Sequence, residues 1–269
     1  MNSTEAATPP SAMVATRTIA FEQPLNERMR NLLRLDFLYQ QAVHHHTKTD
    51  PWSTRAAVDS LLEMLAITQR GDVRSEVLKE LERQMAQLAA YSTRPGVDAA
   101  RLNLLLAKMQ HMRDELNGVG ALFMQKLRDS EFLNAIKHRS TIPGGTCEFD
   151  LPDYTHWLNL PDTVRGADFA HWLAVIRPLG DAISELLWMT REQARSRREV
   201  AVNGVYNLTL ERDVPVQMIR ILLPHGTDIY PEISGSHYRV SVRFLLWQSA
   251  EARPLQANED VPFTLSLCT

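Results

Sequence analysis

Cys147, Asp150, Asp153 and His156 fall within one short stretch. They are the residue types of a thiol nucleophile, an orienting carboxylate and a base. In that chemistry an imidazole takes the thiol proton and the thiolate attacks. The stretch gives Cys147 neither a glycine elbow nor a helix start to lower its pKa, and a small half-buried cysteine in a strand is the competing reading. His44, His45 and His46 form a second cluster. Successive helical residues point in different directions, so the three cannot converge on one metal ion. The partner at helical spacing or fourth ligand that zinc requires is also missing, and a polar helix end accounts for them. Gly144-Gly145 lacks the lysine of a phosphate-binding loop and the spacing of a dinucleotide fingerprint, and reads as a turn. Arg70-Gly71-Asp72 reads as a helix stop followed by a helix cap.

The arginines carry more. Arg239 and Arg243 share one face of an alternating segment, about 13 Å apart at strand rise. That spacing suits two carboxylates, or two points on one extended acidic peptide, because the planar guanidinium pairs bidentately with carboxylates. Arg220, on another predicted strand, is a candidate third member. The alternative is a solvated sheet face. Arg30 and Arg34 make a second pair at i, i+4 on a helix. Arg191, Arg195, Arg197 and Arg198 form a third cluster, offset in part by Glu192 and Glu199, whose ordinary role is to complement a helix C-terminus.

Holding these residues calls for two kinds of structure. Arg17–Phe21 is a short predicted strand, and a helix follows from Asn26, its expected cap, to about Val43. Ser53 is the expected cap of a second helix carrying Val58, Leu61, Leu62 and Leu65. Asp72 caps a third, with Leu78, Leu81, Met85 and Leu88 inward. A fourth carries Leu102, Leu105, Leu106, Met109 and Leu116, and two shorter helical pieces reach Arg139. Ile142-Pro143-Gly144-Gly145 is a strong turn signal. Residues 146–160 read as extended, and 166–196 as a helical region divided by Pro178. From Glu199 the period becomes alternating. Asn203-Gly204 predicts a two-residue hairpin turn, and strands follow at 205–210, 216–223, 237–247 and near Phe263–Leu267. The fold class is α+β: an N-terminal helical domain, residues 17–140, packed with a mainly antiparallel β-domain, residues 141–269, that holds the helical region as an insert. The strand near residues 17–22 is a candidate member of that β-domain.

Composition removes several functional classes. Of 269 residues 44% are hydrophobic and 23% charged, enough for a sizeable core. The net charge of −3 and the missing reader motif argue against nucleic acid as the partner of Arg191–Arg198. Two cysteines are too few for a disulfide framework and fit a reducing compartment. No apolar run approaches membrane-spanning length and no signal peptide is evident, so membrane insertion is not expected. Residues 1–16 are polar and rich in Ala, Ser, Thr and Pro, the composition of a disordered tail. No metal or cofactor is called for.

The stretch FEQPLNERMR at residues 21–30 resembles the opening of the ZapD family of Z-ring-associated division proteins. The likeness continues through RGDVRSE (70–76), LKELERQ (78–84), PGVDAAR (95–101), IPGGTCEFDLP (142–152), Trp157-Leu158, Asn203–Tyr206 and YPEISGSHYRVSVRF (230–244). It runs in order over nearly the whole chain after the tail. The resemblance implies a non-enzymatic, cytoplasmic homodimer at the mid-cell division site. It would bind the C-terminal tail of FtsZ, cross-link the filaments and support septum formation. It puts Arg239 and Arg243 first as contacts to the acidic, partly apolar tail, with Arg70, Arg34, Arg30 and Arg220 ranked below them. The sequence departs from the family pattern in its N-terminal extension, in His44–His46 with Lys48, and in Thr146-Cys147, where relatives can carry two cysteines. A small-ligand-binding protein or thiol enzyme using Cys147–His156 is the alternative.

Overall fold

The computed structural model describes residues 17–211, 215–236 and 238–269. The expected N-terminal tail therefore lies outside the described residues. The chain divides into two compact units, one of residues 27–193 and the other of the segments to either side, described from Arg17 to Asn26 and from Ala194 onward. The class is α+β, with the helices in the first unit and antiparallel sheets in the second.

The helical unit contains α1 (Glu27–His46), α2 (Pro51–Gln69), α3 (Val73–Ala89), α4 (Ala99–Gly118), α5 (Gln125–Arg128), α6 (Glu131–Arg139), α7 (Pro152–Leu158) and α8 (Asp162–Glu192). Short polar side chains start several of them by accepting an otherwise orphaned backbone N–H. Asp50 accepts from the Ser53 N–H at 2.9 Å, Asp72 from Ser75 at 3.1 Å and Asp98 from Arg101 at 3.1 Å. Asp50, with Pro51 at the first helical position, thus caps α2 in place of the expected Ser53. These hydrogen bonds to the ionised form hold the Asp50 and Asp72 carboxyls below their ordinary range.

Helix α8 is the spine of this unit, about 46 Å long at 1.5 Å per residue. It packs against α1, α2, α3 and α4. Pro178 was expected to divide this region, yet the helix runs through it. Phe169, Leu173, Ile176, Leu179, Ile183 and Leu186 are buried on both sides of the proline, and that burial outweighs one lost backbone hydrogen bond. Residues 146–160 are also not extended: hydrogen-bonded turns lead into α7, whose Tyr154 and Trp157 are buried. The Trp157 indole N–H donates to Asp168 at 2.8 Å, and the Phe132 ring meets Tyr154, Trp157 and Trp172. Aromatic packing, which has no period in so short a stretch, decides the local structure here.

Helix α3 turns inward by a different face than expected. Val77, Leu81 and Leu88 are buried, but so are Glu80 and Gln84, while Leu78 and Met85 are half-buried. Glu80 is neutralised where it lies, by Arg28 at 2.9 Å and Arg83 at 2.6 Å, with the Gln84 amide donating at 3.1 Å.

The second unit is a two-sheet sandwich. Its strands are β1 (Thr18–Pro24), β2 (Arg195–Ala201), β3 (Val205–Thr209), β4 (Met218–Pro224), β5 (Ile229–Gly235), β6 (Arg239–Leu246), β7 (Leu255–Gln256) and β8 (Val261–Cys268). One sheet has the order β1-β4-β8-β2; the other has β3-β6-β5, with β7 on the end of β6, and all pairs are antiparallel. The early strand does join this unit, Thr18 opposite Pro224 and Pro24 opposite Met218. Alternation fills the core: Ile219, Ile221, Phe263 and Leu265 of one sheet share a buried cluster with Val240, Val242 and Phe244 of the other. The Phe244 and Phe263 ring centres are 5.0 Å apart.

Two corrections to the sequence reading bear on function. The helical region near 166–196 belongs to the first unit, so the chain divides at residues 26/27 and 193/194 and not near 140. Asn203-Gly204 does turn the chain, with φ of 50° and 72°. Beyond the single bridge Val202–Val205, however, its arms part, β2 into one sheet and β3 into the other. The turn is a corner of the sandwich and not the tip of a hairpin.

Candidate functional site

Strand β6 is the central strand of its sheet, between β3 and β5. Because its even-numbered side chains, Val240, Val242 and Phe244, are buried, Arg239, Ser241 and Arg243 stand on the outer face. Across the sheet Arg239 lies opposite Thr209, Ser241 between Asn207 and Ser234, and Arg243 between Val205 and Glu232. A hollow of about 630 Å³ opens there, lined by Asn207, Thr209, Ser234, Ser236, Arg239 and Ser241 among others. Its rim offers hydroxyls, amides and one guanidinium. Arg239 is exposed and makes no ion pair among the described residues, whereas Arg243 is paired with Glu232 on the neighbouring strand. The hollow can accept carboxylates and peptide carbonyls. Among the described lining residues no nucleophile has an adjacent base.

Of the other predicted arginines, Arg220 is the one in the same unit as this pair. Arg220 is on the outer face of the opposite sheet, opposite Ser266, and its Nε lies 2.8 Å from a Glu22 carboxylate oxygen. The expectation that it would extend the patch is therefore corrected. It alternates with core residues Ile219 and Ile221 of a different sheet, and its charge is already compensated. Arg30, Arg34 and Arg70 are in the helical unit. Arg30 is ion-paired with Glu27 three residues earlier, Arg34 is exposed, and Arg70 is the exposed C-cap of α2.

The thiol cluster does not assemble. Cys147 donates to Asp150 at 3.6 Å, Asp150 lies 3.3 Å from Arg139, and His156 is exposed on α7. No hydrogen bond joins Cys147 to His156 among the described residues. The histidine run ends α1 in three directions, with His44 and His45 edge to face at 5.2 Å and His46 against Phe169 at 5.3 Å.

Sequence reasoning missed three features. Arg165, which the sequence did not single out, is buried and donates to the Thr49 carbonyl at 2.8 Å, fixing the connection from α1 to α2. Glu232 was not paired with Arg243, because β5 was not assigned as a strand. Arg195, Arg197 and Arg198 were grouped with a helix end, but α8 stops at Glu192 and these three begin β2. The alternation that starts at Glu199 was the signal that the strand could extend backward.

Comparison with known proteins now bears on what this face is for. The model of the cell division protein ZapD family matches residues 33–243. The chain belongs to the ZapD family. ZapD relatives match it almost end to end. The cell division protein ZapD of Methylococcus capsulatus is 36% identical over 250 residues, 93% of this chain and 98% of the relative. That of Chromobacterium violaceum is also 36% identical, over 93% of this chain and 99% of its own. The ZapD of Aromatoleum aromaticum is 34% identical over 257 residues, covering all of that protein. Among the described residues no helix is long and apolar enough to cross a membrane.

Proposed function

We propose that this chain is a non-enzymatic, cytoplasmic adaptor of the division ring, acting at mid-cell. In this reading it binds the C-terminal tail of FtsZ on the outer face of the β3-β6-β5 sheet. The observation that carries the reading is the placement of Arg239 and Arg243 on one face of a central strand, beside a polar hollow, in a chain of the ZapD family. Among the described residues Arg239 has no carboxylate partner, and a carboxylate of the tail supplies one. Arg243 meets the tail by exchanging its exposed partner Glu232, at little cost because such pairs are weak. As a homodimer the chain presents two such faces, and capture of one filament raises the local concentration of the second. Filament bundling follows from that geometry without turnover of any substrate. Arg70, Arg34 and Arg30 are secondary candidates on the helical unit.

The test is low-speed co-sedimentation of GTP-assembled FtsZ with wild-type protein and with Arg239→Glu/Arg243→Glu. Circular dichroism and sedimentation velocity check that the variant is folded and dimeric. Bundles with wild type and none with the variant support both the adaptor and its site. Equal pelleting moves the site, with Arg30 and Arg34 next. No pelleting by either protein, with filaments present, removes the cross-linking function.

A further inference from the structure

Strand β2 pairs with β8 on one side and ends its sheet on the other. An open edge presents a row of unpaired N–H and C=O groups, and natural proteins defend such edges by brevity, proline, bulges or charge. Three of these defences are missing. Residues 195–201 pair one-to-one with 267–261 without a bulge, the strand holds no proline, and it spans seven residues. Val200 and Val202 are 49% and 61% exposed beside it. The bridge from Val202 to Val205 closes only the last step, leaving residues 195–200 without a strand partner on this side among the described residues.

Charge is the remaining defence, and it is one-sided. Arg195, Arg197 and Arg198 are all exposed. Arg197 is held by Glu199 at 2.6 Å and donates to the Tyr206 hydroxyl at 3.5 Å, whereas Arg195 and Arg198 make no ion pair among the described residues. Arg195 and Arg197 lie on one face of the strand and Arg198 on the other, so guanidinium groups flank the edge on both sides. A second copy of β2 laid antiparallel about Ser196 would set Arg195 against Arg197, and one laid about Arg198 would set Arg198 against itself, both unfavourable, although the latter also sets Arg197 against Glu199. A strand carrying carboxylates would meet the opposite sign at each of those positions.

We propose that the open edge of β2 receives an extended acidic peptide as a fifth strand of the β1-β4-β8-β2 sheet. Backbone hydrogen bonds supply affinity and the arginines select the charge, as in other strand-addition complexes. The identity of the peptide as an acidic segment of the FtsZ tail rests on the adaptor reading above.

Hydrogen exchange of the full chain is measured with and without a synthetic FtsZ C-terminal tail peptide. Binding is followed by fluorescence anisotropy, using the same peptide and one N-methylated at alternate backbone nitrogens through its acidic stretch. Strand addition predicts slower exchange of amides within 195–200, at least tenfold weaker binding of the methylated peptide, and at least fivefold weaker binding to a folded Arg195→Glu/Arg198→Glu variant. Methylation leaves every charge in place, so equal binding of the two peptides overturns strand addition. Tail binding that leaves both β2 exchange and the variant's affinity unchanged overturns the site while sparing the adaptor reading. Absence of any tail binding by wild type overturns the adaptor reading and this inference together. Association beyond the dimer that appears in the charge-reversed variant alone identifies the arginines as edge protection, and counts against the proposal if tail affinity is unchanged.

Discussion

Arg243 and Glu232 stand directly opposite each other on adjacent antiparallel strands, β6 and β5, and their exposed side chains form an ion pair. Glu232 therefore competes with any incoming carboxylate for Arg243. Replacing it by Gln is expected to raise affinity for the tail peptide about two- to fivefold at low ionic strength, less at high salt where exposed charges are screened. Stability should change by less than about 1 kcal/mol, since exposed pairs contribute little. Anisotropy titrations at two salt concentrations check this; weaker binding by Glu232→Gln would mean that Glu232 positions Arg243 for the tail.

Glu80 gives the helical unit an acid-sensitive point. Burial pushes its carboxyl up, but the hydrogen bond and charge of Arg83, the charge of Arg28 and the Gln84 amide outweigh burial and leave it below the ordinary glutamate range. A depressed folded-state pKa contributes stability that is complete above the unfolded value, about 4.3, and is lost as pH falls through the folded value. Glu80→Gln is expected to lose about 2 kcal/mol at neutral pH. Its deficit relative to wild type should shrink as pH drops below about 4.3. Thermal melts of both proteins across that range decide it, and a deficit independent of pH would show that the ionised form is not what matters.

Gly204 takes φ of 72° at the sandwich corner, and a Cβ there would lie 2.4 Å from the Ala257 carbonyl oxygen. Gly204→Ala meets both left-handed strain and a clash with backbone, which cannot move aside as a side chain would. A loss of about 1–3 kcal/mol is expected in chemical denaturation. Loss of this corner should also lower tail binding, because the Gly204 carbonyl accepts the Phe244 N–H at 2.8 Å and so holds the end of β6.

Gly180 on α8 lets the Tyr39 ring of α1 lie against the helix, and a Cβ there would come within 2.6 Å of the ring. Alanine improves helix propensity by about 1 kcal/mol, but overpacking a closed contact costs about 1–3. The Tyr39 ring cannot withdraw freely, because its hydroxyl donates to Asp181 at 2.7 Å. Gly180→Ala is expected to destabilise, and less so in a Tyr39→Phe background. A double-mutant cycle measures the difference, and simple additivity would mean that the tether plays no part.

The fold was legible wherever one face of an element is buried and the other wet. Strand β6 showed its alternation and its outward arginines, and α2 its helical stripe, because burial there follows the local period. Reading failed where a long-range partner decides. Glu80 is a core residue only because Arg28 and Arg83 reach it. Residues 152–158 are helical only because Trp157 packs among Phe132, Tyr154 and Trp172. Of the site, the face and the spacing of Arg239 and Arg243 could be read. The attachment of Arg220 to Glu22 and of Arg243 to Glu232 could not, since each depends on which strands become neighbours.

Strand β1 is made before the helical unit and pairs with β4, which is made after it. During synthesis the helical unit is complete once α8 is made, while β1 still waits for its neighbour, and β2 waits for β8. The sandwich is thus the last part to close, and both surfaces proposed for partner binding depend on it. A chain still on the ribosome, or one shortened before β8, would carry a finished helical body and an unclosed sandwich, so that on the proposed reading recruitment would be a property of completed molecules.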